Sequence, residues 1–141
     1  MSQSEGEPEP SLAEEFWSLT RSLRHAAQES MAQWDITPSQ ARALRVIARL
    51  GALRPSELSE HLRIAARSVT EVIDDLEAKQ LVGRRPDPKD RRATLVELTE
   101  RGRQLGEQMR GARGAQAERL FDRLSKTDRS ELARILRKLH D

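Results

Sequence analysis

The chain has 141 residues, 34% of them charged and only 3% aromatic, with no Cys and no Tyr. That length is one domain's worth and buries a core unaided, while the lack of Cys excludes disulfides, thiolate metal sites, a Cys nucleophile and thiol redox sensing. The net charge of +2 hides an uneven split: residues 1–15 hold five Glu and no Lys or Arg, leaving 25 basic against 18 acidic groups beyond them, a surplus of 7. A body that basic is consistent with a nucleic-acid partner, although a solvated basic surface is the commoner explanation of charge taken alone.

No apolar run approaches membrane-spanning length, and the start carries no basic segment followed by an apolar one, so a soluble, cytoplasmic protein with no membrane partner is expected. The three His, His25, His61 and His140, each stand alone in the sequence. No Gly-rich phosphate loop, nucleophile motif or metal-spaced cluster accompanies them, so neither catalysis, a metal site nor a cofactor is expected.

Taken in chain order, the near-absence of apolar residues in "MSQSEGEPEP" predicts a disordered acidic leader over residues 1–11. The spacing of Leu12, Phe16, Leu19, Leu23 and Ala26 predicts a helix to about Gln33. Thr37 to Gln40 reads as a capping box with Pro38 at the first helical position. The helix it opens should bury Ala41, Leu44, Ile47 and Ala48 and end at Gly51. Pro55 starts a short helix on Leu58 and Leu62; a turn at Arg63 to Ala65 follows, then a helix whose buried stripe is Val69, Val72, Ile73 and Leu76. Two short helices joined by a few residues, the second amphipathic, are the sequence form of a helix-turn-helix.

After Leu81 the period changes to two. "VGRRP" and "TLVEL" bracket a tip dense in charge, with Val96 and Leu98 facing inward and Thr94 in register. This predicts a hairpin with a long loop, a wing beside the helix-turn-helix. Thr99 then caps a long helix with apolar positions at Leu105, Met109, Ala112, Leu120 and Leu124. Gly111 and Gly114 interrupt it at about 1 kcal/mol each relative to Ala, and are expected to mark close helix packing. Ser125 to Asp141 forms a last helix on Leu132, Ile135, Leu136 and Leu139. The terminal helices carry more apolar surface than one small core absorbs, which implies a partner subunit.

At the wing the chain resembles the multiple antibiotic resistance regulator (MarR) family of winged-helix transcription factors. The residues that carry the resemblance are Asp90-Arg91-Arg92, then Val96, then Leu98-Thr99-Glu100-Arg101-Gly102, preceded by "LVGRR" and "PDPKD", with "SVTEVIDDLEAKQLV" as the recognition helix. The resemblance implies a mainly α fold with a small β wing: a single domain over residues 12–141, a winged helix-turn-helix at about 37–99, and dimerisation helices at about 12–34 and 100–141. It further implies a homodimer that binds an inverted-repeat operator in double-stranded DNA, mostly as a repressor, and that a small organic ligand releases. Nothing in the residues decides repressor against activator, and a winged helix used only for protein contact stays as the rival class.

Three departures from the family's pattern stand out. Glu71 lies where many relatives carry Arg, and Glu accepts from cytosine where Arg donates to guanine. Ala65 replaces the usual capping Ser or Asn. Gln80 replaces the usual Gly at the end of the recognition helix, a strain if the residue needs positive φ.

The N-terminal residues of a recognition helix reach base edges or phosphates, so Arg67, Ser68, Thr70 and Glu71 are the candidate contacts there. The competing reading has Ser68 and Thr70 supporting the turn and Glu71 paired with a cation. In the wing, Arg92 is expected in the minor groove, with Asp90 accepting its hydrogen bonds, and Lys89, Arg91, Arg84 and Arg85 along phosphates. Thr37, Ser39 and Gln40 face phosphate in this fold, but structural capping is their first reading. For an aromatic or anionic effector the place is the first helix, where Trp17, Arg21, His25 and Gln28 share a stripe; against it stands a Trp17 that packs the dimer and a solvated Arg21.

Overall fold

A computed structural model describes residues 6 and 8–140. The acidic leader's residues 1–5 and 7 lie outside them, as does Asp141. The elements in order are α1 (Leu12–Met31), a single 3₁₀ turn (Ala32–Trp34), α2 (Pro38–Leu50), α3 (Pro55–Leu62), α4 (Ala66–Ala78), β1 (Val82–Asp87), β2 (Asp90–Leu98), α5 (Glu100–Phe121) and α6 (Lys126–Lys138). Among the described residues no helix is long and apolar enough to cross a membrane.

Local chemistry sets most of these boundaries. The Ser11 and Thr37 hydroxyls accept from the amides of Glu14 and Gln40, whose side chains accept in return from the cap amides. Each capping box therefore satisfies two orphan donors at once. Ser125 caps α6 in the simpler way, accepting from the amide of Asp128. α2 ends at Gly51, whose φ of 79° suits a residue without a side chain. α3 and α4 end instead on Arg63 and Gln80, held at φ 54° and 61°. The positive φ expected of Gln80 is thus present, and a non-glycine pays for the left-handed turn there.

The core belongs to the middle of the chain. Leu44 and Ile47 of α2, Leu58 and Leu62 of α3, Val69, Ile73 and Leu76 of α4, and Leu81, Val82 and Val96 of the hairpin are all buried together. Within α2 the inward position is Ala43, not Ala48, which is exposed. Ala48 shares the angular sector of Leu44 and Ala41 but lies in the last turn of α2, where the core does not cover that sector. α1 and α6 bury no residue, and α5 gives the core Met109 and packs Leu105 against it. Leu12 is 82% exposed, Leu139 72% and Phe16 50%, with Leu19 and Ile135 also exposed.

The hairpin is tighter than expected. β1 and β2 pair antiparallel from Val82–Leu98 to Pro86–Thr94, then jump to Asp87–Asp90. Only Pro88 and Lys89 form the turn, and the register break leaves Arg91, Arg92 and Ala93 on β2 without partners on β1. The charged tip that read as a long loop is a two-residue turn with a bulged strand. A further bridge was invisible in the sequence: Leu53 exchanges both backbone hydrogen bonds with Val96, at 3.1 and 2.8 Å, and gives β2 a short third partner. Gly111 and Gly114 face open space in this chain, so the close packing expected of them is absent within it.

Gly102 has the packing role instead. An added Cβ there would sit 2.0 Å from the carbonyl oxygen of Leu81. The same junction is bonded through Thr99, whose hydroxyl accepts from the Gly102 amide at 3.0 Å and donates to the Gln80 carbonyl at 2.6 Å. Its amide donates to Leu81. Because the obstruction is backbone, no side-chain rotation relieves it, and Gly102→Ala should cost at least the roughly 1–3 kcal/mol of an overpacked core site. A melting temperature equal to the parent's would show that α5 slides freely at this point.

Candidate nucleic-acid interface

α4 points Val69, Ile73 and Leu76 inward, so period 3.6 leaves Arg67, Ser68, Thr70, Glu71 and Asp74 exposed on its outer side. Its cap is Ala65, whose side chain has no oxygen to offer the first-turn amides. Thr70 donates its hydroxyl to the Ala66 carbonyl at 3.1 Å, a back-bond within the helix. Among the described residues Glu71 forms no ion pair; the cation expected by its structural reading is not there.

The wing lies beside α4, fastened to it by Arg84. That guanidinium donates to Asp74 at 2.6 Å and to Glu77 at 2.8 Å, and the Asp74 hydrogen bond raises the arginine's pKa above its ordinary value. Arg85 pairs across the ladder with Glu97 at 3.1 Å. Both arginines were expected along phosphates; the structure gives their charge to carboxylates of the chain itself. Gly83 separates Arg84 from the buried Val82, and alternation along β1 sends the two arginines to opposite faces.

At the tip the order is made by two aspartates. Asp87 Oδ1 accepts from the Lys89 amide at 2.9 Å, and Asp90 Oδ1 accepts from the Arg92 amide at 3.0 Å. These Asx-type turns fold the chain locally. Asp90 therefore holds the backbone of Arg92 and, among the described residues, makes no bond to its guanidinium, which corrects that part of its expected role. Lys89, Arg91 and Arg92 are exposed and, among the described residues, have no ion-pair partner.

Sequence reasoning missed the ion pair beneath this tip. Arg54, the residue before α3, sends Nε and Nη2 to Asp87 Oδ2 at 3.0 and 2.9 Å. Asp87 is one of the few buried polar residues. The Lys89 amide first, and the Arg54 guanidinium second, hold its carboxyl below the usual carboxylate range. Nothing local signals the pairing, because 33 residues separate the partners.

Thr37 and Gln40 do what capping requires. Gln40 is buried, and its Oε1 also accepts from Lys79 at the end of α4 at 2.9 Å. The proposed effector stripe is solvent-facing in the single chain. Trp17 is 58% exposed and meets Phe16 edge-on at 6.1 Å, Arg21 is exposed, and His25 lies 3.6 Å from Glu29. A cleft of about 280 Å³ lies between α2, β2 and α5, and another of about 330 Å³ between the end of α5 and α6; neither is lined by Trp17, Arg21 or His25.

This arrangement has counterparts. The sequence profile of the MarR family matches residues 36–94, from before α2 to the middle of β2. The HTH-type transcriptional repressor MdtR of Bacillus subtilis is 30% identical over 122 residues, 86% of this chain and 79% of that protein. The chain belongs to the MarR family. Like other MarR proteins it is a DNA-binding transcriptional regulator and not an enzyme. Its fold superposes on wild-type MarR from E. coli in the apo form with a TM-score of 0.82 at 26% identity, covering 94% of this chain and 98% of that one. The YusO protein of Bacillus subtilis gives a TM-score of 0.79 at 29% identity over 89% of both chains.

The depressed Asp87 carboxyl makes an acid-limb prediction. Its pKa is lower folded than unfolded, so its stabilisation is fully present above the unfolded value and is lost as pH falls through the folded one. The difference in urea stability between the parent and Asp87→Asn should therefore be constant near neutrality and shrink from about pH 4 downward, near the ordinary carboxylate pKa. A gap that stays the same into strong acid would show that the charge of Asp87 contributes nothing.

Proposed function

We propose that the protein is a homodimeric repressor that lays α4 in the major groove and the wing tip in the flanking minor groove of an inverted-repeat operator. The observation that carries this is the pairing of two free surfaces: the exposed residues Arg67, Ser68, Thr70 and Glu71 at the start of α4, and the unpaired cations Lys89, Arg91 and Arg92 on a wing that Arg84 fastens alongside. A guanidinium released from the ladder by a bulge is free to enter a narrow minor groove, whose negative potential rewards it. Arg84 and Arg85, with carboxylates beside them, serve DNA indirectly by orienting the wing. A module for protein contact alone gains nothing from three uncompensated cations at an ordered tip.

The homodimer rests on the apolar side chains left in water by the single chain: Leu12, Phe16 and Leu19 of α1, Ile135 of α6 and Leu139 at its C-cap. Contiguous apolar patches of that kind mark interaction sites. A two-fold dimer would set two α4 helices about one turn of DNA apart, roughly 34–36 Å. Repression is the role that MdtR's name gives to that relative.

For release, an aromatic or anionic effector at the first helix remains the proposal, with Trp17, Arg21 and His25 enclosed by the second copy. Such a ligand acts only by preferring a dimer whose reading heads are wrongly spaced, since equal affinity for both forms shifts nothing.

Arg92→Ala should weaken binding to the DNA upstream of its own coding sequence by roughly 1–3 kcal/mol per half-site, and Lys89→Ala should lower the salt slope by about one. Parent-like binding by both variants would make the wing a solvated turn. In sedimentation the protein should run as a dimer at micromolar concentration; a monomer that still binds DNA tightly would overturn the two-fold arrangement. Salicylate should quench Trp fluorescence and release DNA together, and no response in either signal at millimolar concentration ends the ligand proposal alone.

A further inference from the structure

We propose that Arg54 and Asp87 are positioning residues for DNA binding: an ionic strap, closed on the buried Asp87 carboxylate, that fixes the wing tip against the first helix of the helix-turn-helix. The proposal rests on the wing being a DNA contact, as argued above.

The hairpin's base and its tip are secured differently. At the base, Val82 and Val96 are buried and Leu53 adds backbone bonds to β2. Midway, Arg84 joins β1 to Asp74 and Glu77 of α4. Beyond Pro86 the ladder breaks register, and Pro88 to Arg92 are exposed. A two-stranded ribbon without an apolar face is marginal in water, and the cations Lys89, Arg91 and Arg92 repel one another. What reaches the tip from the body is Arg54. Both its Nε and its Nη2 bond one oxygen of Asp87, whose side chain is only 9% exposed, while the other oxygen holds the Lys89 amide. A single carboxylate thus ties the entry of α3 to the turn that presents the cations.

Its value is preorganisation. A tip that wanders must be ordered when it binds, and that entropy is subtracted from affinity. Arg54 stands where a phosphate ligand would also stand, at the start of a helix, but its donors are turned to Asp87. The two roles differ in sign at the partner residue. If Asp87 were only a negative charge near DNA, removing it would tighten binding. If it positions the tip, removing it loosens binding, against the electrostatic trend.

The experiment measures affinity for a duplex taken from upstream of its own coding sequence, over a salt series, for the parent, Arg54→Gln, Asp87→Asn and the double variant. Hydrogen exchange at the Lys89 amide is followed in the free proteins. Each single variant should lose about ten-fold in affinity. The double variant should lose no more than either single, the salt slope should stay at the parent's value, and Lys89 should exchange faster in all three. Asp87→Asn binding as tightly as the parent, or more tightly, overturns the proposal. So does a salt slope reduced by about one in Arg54→Gln, which would make Arg54 a phosphate contact. Unchanged Lys89 exchange removes the strap while leaving the wing as a DNA contact; a parent that binds no duplex removes the DNA reading, and the positioning role with it.

Discussion

A missing methyl group sets how the two halves of this chain meet. The carbonyl of Leu81 occupies the space that a side chain on Gly102 would need, and Thr99 bonds both sides of the junction. The C-terminus of α4, the start of the wing and the first turn of α5 are thereby one rigid piece. Four residues on from Gly102 the helix is still free of core contacts at Gly106, while Leu105 and Met109 pack against the buried cluster. The direction of the long helix is therefore decided within its first three turns, by backbone contact and two apolar side chains. Everything C-terminal to Met109 inherits that direction.

Local signals were legible in the sequence, and distant ones were not. Thr37-Pro38, Pro55 and Thr99 announced helix starts by chemistry that acts over three or four residues. The stripe Val69, Ile73, Leu76 announced the inner face of α4. The Leu-Thr-x-x-Gly motif carried the junction, although only the 2.0 Å clash shows why its glycine is required. The failures have physical causes. Ala43 and Ala48 are equally small, so periodicity alone could not choose between them. The Leu53–Val96 bridge and the Arg54–Asp87 pair join residues far apart in sequence, and neither leaves a pattern in its own neighbourhood. The bulge at the wing looked like a loop because Asp87, Pro88, Lys89 and Asp90 are turn-forming types whether the turn has two residues or eight.

The surplus of seven basic groups beyond residue 15 indicated a basic body without saying which cations are free. Arg54, Arg84, Arg85, Arg129 and Arg134 all face carboxylates at hydrogen-bonding distance. Exposed pairs of this kind contribute little stability individually. Their consequence is geometric: in the wing they turn Arg84 and Arg85 toward carboxylates of the chain, while Lys89, Arg91 and Arg92 at its tip, like Arg67 on α4, have no ion-pair partner among the described residues.

The winged module takes only Met31, at the end of α1, against its core and nothing from α6, and neither helix buries a residue in the chain. Their exposed leucines and Phe16 contribute nothing to holding α4 in place. The recognition surface is thus folded by one set of contacts, and its relation to any second copy is set by another. These sets meet at Gly102 to Met109 and at the 3₁₀ turn after α1, where the Asp35 carbonyl accepts from Lys79 of α4 at 2.5 Å. A cavity mutation in the core of the module would cost stability and DNA affinity together. A change at the 3₁₀ turn would leave the module folded and alter where it points, whereas one at Gly102 or Met109 would cost stability as well. Coupling between a distant site and the reading head requires that separation, because a head that unfolds when displaced has no second arrangement to occupy.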